Sequence, residues 1–133
     1  MKLITSKIAM AKDLGMYGNL FGGNMLSWID EAASVMAARV CQTASLVTIK
    51  LDEVVFKKPV KQGYQILIYG KVEKIGKTSI TLAIEARKHS VYSGEEDVVC
   101  STSITFVNID EHGNPIPISP YIKKKWENND LDY

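Results

Sequence analysis

The spacing of apolar residues changes twice along the chain. From Asn24 to Cys41, residues Met25, Leu26, Ile29, Ala33, Met36, Ala37 and Val40 recur at intervals of three and four, which predicts one amphipathic helix. Elsewhere the period is two. Leu3 to Ala9 alternates weakly and predicts a strand, and Leu46 to Phe56 reads as another, stopped by Lys57-Lys58-Pro59. Gln65 to Ile75, Ser79 to Arg87 and Val98 to Val107 alternate apolar and polar positions, with a tight connection at Gly76-Lys77-Thr78. Long strands joined by short turns predict an antiparallel meander.

The predicted order is strand, long helix, then four strands, an α+β arrangement. The economical packing expected from it is a strongly curved antiparallel sheet wrapped around the one helix. Alanines at 32, 33, 37 and 38 would let that helix sit close to the sheet. Such a sheet has a second face and exposed edges, and Leu67, Tyr69, Val99 and Val107 fall out of phase with the helix-facing set, so the chain is expected to oligomerise. The domain is expected to span residues 1–120. Residues 121–133 are expected to be a C-terminal tail, either a short helix or disordered, whose run Lys123-Lys124-Lys125 reads as a solvated face.

Composition narrows the function classes. The 133 residues fit one domain, and 16 basic against 15 acidic residues leave no global attraction to nucleic acid or anionic membrane. An anionic ligand would need a local cluster of cations. No stretch approaches the roughly 20 apolar residues of a membrane span, and the start lacks the apolar core of a signal peptide. Cys41 and Cys100 make neither a disulfide framework nor a zinc spacing, which suits free thiols in a reducing cytoplasm. His89 and His112 have no partners at nucleophile or metal spacing, and no metal or redox cofactor is implied.

The loop before the helix, residues 13–23, holds four of the nine glycines. Its end, Gly18-Asn19-Leu20-Phe21-Gly22-Gly23-Asn24-Met25-Leu26-Ser27-Trp28-Ile29-Asp30, carries an acid seven positions beyond the last glycine. These residues resemble the YciA-type bacterial acyl-CoA thioester hydrolases and the related cytosolic acyl-CoA hydrolases. The resemblance continues through Val47-Thr48, Phe56-Lys57-Lys58-Pro59-Val60, Gly63, Gly76-Lys77-Thr78-Ser79 and Phe106-Val107-Asn108-Ile109-Asp110, covering about residues 5–118. It implies a hotdog fold, hydrolysis of acyl-CoA, a place in fatty-acid metabolism and active sites at a dimer interface. Members commonly form homohexamers as trimers of dimers. Two departures stand out: Gly15 where the family usually has asparagine, and Tyr64 where it often has aspartate.

With that substrate in view, the residues acquire roles. Asp30 lies two turns beyond Gly23. The unpaired amides at the helix start, near Gly22 and Gly23, suit a developing oxyanion. Asp30 would serve either as base toward water or as direct nucleophile. Ser27 and Ser34 share its helix face and either orient it or bond backbone carbonyls. Asn24 caps the helix or touches substrate, and the resemblance adds Asn19 and Thr48 as binding positions. Coenzyme A phosphates call for Lys58, Lys77, Arg87 or Lys88, with the Gly76-Lys77-Thr78-Ser79 turn as a cradle. Two rivals use the same fold. A hydratase needs a histidine beside the helix acid. A non-catalytic acyl-CoA-binding module would retain ligand without turnover.

Overall fold

The computed structural model describes residues 1–133 throughout. Strand β1, Lys2–Ile8, leads through two 3-10 turns, Ala11–Asp13 and Met16–Gly18, into helix α1, Gly22–Cys41. Then come β2, Leu46–Phe56; β3, Gln65–Ile75; β4, Ser79–His89; and β5, Glu96–Asn108. A second helix, α2, Pro120–Glu127, closes the order, with Pro120 at its first turn. The alternating segments therefore lie where their period of two placed them. The helix begins two residues earlier than periodicity suggested, because Gly22 and Gly23 carry no apolar signal.

All five strands form one antiparallel sheet in the order β1-β3-β4-β5-β2. The expected wrap does not form. Strands β1 and β2 stand at opposite edges and do not meet, so the sheet is neither closed nor strongly curled around the helix. The fold is α+β and hotdog-like, with α1 lying on one face. The reason is in the helix itself. Its buried residues, among them Met25, Ile29, Ala33, Met36, Ala37 and Val40, make one stripe, while Ser27, Glu31, Ser34 and Arg39 stay exposed. One sheet face satisfies such a stripe, and the alanines bring the backbones close without demanding curl.

Ile66, Ile68, Ile80, Leu82, Ile84, Ile104 and Phe106 supply the sheet's half of the core. Val99, expected on the outer face, is instead buried beside Cys100. A β-bulge explains this. Ala86 pairs with Cys100 and Arg87 with Val98, so Val99 has no partner and both it and Cys100 turn inward. Leu67, Tyr69 and Val107 lie half-buried on the outer face. The tail is ordered rather than free: Ile122 is buried, Trp126, Leu131 and Tyr133 pack on the core, and the Tyr133 hydroxyl accepts the Val72 N–H at 3.0 Å.

Cys41 and Cys100 are both buried, and burial pushes the Cys41 thiol from 9.0 up to about 11. The folded chain thus holds a proton that the unfolded chain begins to release near pH 9, so this contribution to stability is lost as pH rises from 9 to 11. At pH 8, neither thiol should react with an aromatic disulfide reagent until the protein is unfolded. Rapid labelling of native protein would contradict the packing. Ile29→Ala should cost about 2–5 kcal/mol in urea unfolding, and Glu31→Ala on the open face less than about 0.5 kcal/mol. Equal losses would point to a helix covered on all sides.

Candidate active site

The start of α1 lacks the usual polar cap. Its N-cap is Phe21, which has no side-chain hydrogen bond to offer. The Phe21 carbonyl accepts the amides of Asn24 and Met25 at 3.0 and 3.1 Å, and the amides of Gly22 and Gly23 find no acceptor in the chain. Two N–H groups therefore point off the helix end with the positive end of its dipole behind them.

The loop is fastened to that helix start from below. Asp13 offers its carbonyl to both the Phe21 N–H, at 3.0 Å, and the Asn24 side-chain amide, at 2.9 Å. Asn24 therefore neither caps the helix nor stands free; it staples loop to helix. The Phe21 ring lies between Gly15 and Gly23. A Cβ added at either would come within 2.9 or 2.8 Å of the ring. Gly15 therefore stands where a larger residue would displace Phe21. Tyr17, with φ 64°, and Gly18, with φ 72°, turn the loop through left-handed backbone.

Beside Gly22 lies a cavity of about 380 Å3. Leu20, Met25, Phe56, Val60 and Val99 make its apolar lining, and Asn19, Lys57 and Lys58 are among its polar wall. The apolar members were not legible as a group beforehand, since they come from the loop before the helix, the helix, two strands and the connection after β2.

Asp30 lies farther along α1. Thr48 on β2 donates its hydroxyl to Asp30 Oδ1 at 2.7 Å, leaving the second carboxylate oxygen without a protein partner. Ser34 bonds the Asp30 backbone carbonyl at 2.8 Å, so it acts on the helix and not on the carboxylate. On one helix the acid and the free amides stay apart. Seven residues separate Gly23 from Asp30, a rise of about 10 Å, and the amides point away from the acid.

The candidate phosphate ligands do not converge within one protomer. Lys58 ends near the start of β5, where it pairs with Asp97 at 3.3 Å. Arg87 is occupied: Glu85 accepts from it at 2.7 Å, Glu96 lies 3.8 Å away and the Tyr69 ring 4.0 Å beneath. The Glu85 hydrogen bond raises its already high pKa further. Lys88 sits 5.3 Å over the Tyr64 ring. The Gly76-Lys77-Thr78-Ser79 turn is at the opposite end of the sheet. There the Gly76 amide is spent on the Ser79 carbonyl, and the Lys77 and Thr78 carbonyls accept Ile118 and Asn108. His89 pairs with Glu96 at the end of β4, and His112 lies in the Asp110–Gly113 turn.

Residues 17–95 match the Thioesterase superfamily. An uncharacterized acyl-CoA thioester hydrolase of Bacillus subtilis, YkhA, is 31% identical over 117 residues, covering 88% of this chain and 67% of its own. The hexameric hotdog-fold thioesterase Cj0915 of Campylobacter jejuni superposes with a TM-score of 0.82 at 36% identity, over 93% of this chain and 95% of that one. An acyl-CoA hydrolase of Staphylococcus aureus, solved with butyryl coenzyme A, coenzyme A and coenzyme A disulfide, superposes with a TM-score of 0.79 at 26% identity. That likeness covers 86% of this chain and 69% of that one.

Hydrogen exchange tests the open helix start. The Gly22 and Gly23 amides should exchange near their intrinsic rates while Met25 is protected. Protection of all three to the same degree would mean that the two donors are already engaged.

Proposed function

The chain belongs to the thioesterase superfamily and is an acyl-CoA thioesterase; we propose that its working site combines the helix start of one protomer with Asp30 of a second. The observation carrying this is the separation along α1. An oxygen accepting from Gly22 and Gly23 sits beyond the helix end, so the carbon it belongs to lies out of reach of the Asp30 on that same helix. Attack needs the reacting atoms about 3–3.5 Å apart. A two-fold pairing that runs the helices in opposite directions brings each helix start to the other's acid.

Two features support such a pairing. Strand β2, which carries Thr48, is a sheet edge with one side unpaired. It also exposes Val47, Ile49, Leu51, Val55 and Phe56, an apolar row that an isolated chain would be expected to avoid. The chain assembles as a homo-oligomer that binds acyl-CoA. Within it, the dimer is the active unit in this reading, and three dimers make the hexamer.

In the reaction, the thioester oxygen would take the Gly22 and Gly23 amides while Asp30, oriented by Thr48, either draws a proton from water or attacks the carbonyl itself. The C–S bond breaks, coenzyme A leaves as its thiolate, and water supplies the oxygen of the free acid. The cavity beside Gly22 has an apolar lining for the acyl chain or its linker. Lys57 and Lys58 at its wall, and Lys77 with Thr78 and Ser79 from the opposite end of a second protomer, meet the anionic coenzyme. A cytoplasmic location suits this substrate and the two free thiols.

Asp30→Ala should lower kcat for thiol release from acyl-CoA by at least about 10²-fold, with the thermal midpoint held within a few degrees. Near wild-type turnover in that variant would defeat the role of Asp30. Wild-type protein that binds acyl-CoA tightly and never releases thiol would instead favour a non-catalytic binding module.

A further inference from the structure

We propose that Asn19, held in one orientation by Lys61, is a third hydrogen-bond donor to the substrate carbonyl beside Gly22 and Gly23. The inference rests on the acyl-CoA reading of this site and deepens it: Asn19, so far only a binding position, becomes a donor to the reacting carbonyl, and Lys61 becomes a positioning residue.

Asn19 lines the same cavity as Gly22. Its backbone is fixed on two sides: its carbonyl accepts the Gly15 N–H at 2.8 Å, and it forms an antiparallel bridge with Lys61. The next residue is tied as well, since the Leu20 N–H donates to the Val60 carbonyl at 2.7 Å. The side chain then meets the Lys61 ammonium, whose Nζ lies 3.2 Å from Asn19 Oδ1. An ammonium only donates, so the carboxamide must turn its oxygen toward Lys61 and its NH2 away. That NH2 has no hydrogen-bond partner in the chain; Asn19 is half-buried in the cavity wall, and its contact with the exposed Lys61 lies at the solvent side.

An unpartnered donor three residues before a free backbone amide, lining the same cavity, suits a carbonyl oxygen that gains negative charge. Gly15, across the loop, has no side chain to supply such a donor, and the Phe21 ring leaves no room for one. A donor aimed where charge develops acts on the transition state more than on the bound substrate.

The decisive variant is Asn19→Asp. A carboxylate keeps the oxygen that Lys61 holds, and strengthens that contact to an ion pair, but it has no N–H to give. If Asn19 only clamps the loop, Asn19→Asp should match or exceed wild type in both thermal midpoint and turnover. As a substrate donor, it should keep the midpoint while kcat for thiol release falls by about 10²–10³-fold. Lys61→Met, which frees the carboxamide to flip, should lower kcat by about tenfold, and Lys61→Arg should restore it. An Asn19→Asp enzyme within twofold of wild-type kcat would overturn the proposal, as would a loss that only tracks a lowered midpoint. Wild type releasing no thiol from any acyl-CoA would be a different failure, that of the underlying reading.

Discussion

The rigid rise of α1 governs how this protein can work. An α-helix cannot fold back to bring its ninth residue to its first turn, so the two free amides at Gly22 and Gly23 and the carboxylate of Asp30 belong to different places on one rod. Each place is well prepared. The amides are left open because Phe21 occupies the cap position, where serine or aspartate would have consumed a donor. The carboxylate is held through one oxygen by Thr48 and keeps the other available. In the proposed site, a second copy would join the two.

The rest of the fold keeps the rod accessible. A single apolar stripe seats α1 on one face of an open sheet, and its polar side is left uncovered. The loop before it is secured from its own interior, by the Asp13 carbonyl and by a ring lying between two glycines. Each of these hydrogen bonds contributes about 1 kcal/mol, and together they fix where the helix begins. Strand β2 supplies Thr48 and at the same time forms the exposed edge, so the element that orients the acid is also the one available for pairing.

Periodicity revealed the elements because side-chain alternation is a local property. The helix stripe and the strand phases of β3, β4 and β5 can be read from neighbouring residues alone. Sheet curvature cannot: alanines show that helix and sheet approach closely, without showing whether the sheet bends around or stays open. Val99 shows the same limit, since a bulge opposite Ala86 and Arg87 reverses its face without any mark in its own strand. In the proposed site, the spacing from Gly23 to Asp30 is legible in the sequence and points to both groups. Arg87 was not, because its partners Glu85 and Glu96 lie on its own and an adjacent strand and only the fold brings all three together. The Asn19–Lys61 contact spans 42 positions, too far for any local pattern to reveal.

Subunit mixing puts the two-chain site to its most direct trial. Asp30→Ala protomers, which lack the carboxylate, and Gly23→Ala protomers, whose added Cβ meets the Phe21 ring at 2.8 Å and so displaces the helix start, are each expected to be inactive alone; they are unfolded together, refolded and assayed for thiol release from acyl-CoA. If each site draws on two chains, random pairing leaves one intact site in half of the dimers, and activity should return to about a quarter of wild type. A mixture as inactive as its parents, with mixed oligomers demonstrably formed, would contradict the shared site and return both halves to a single helix.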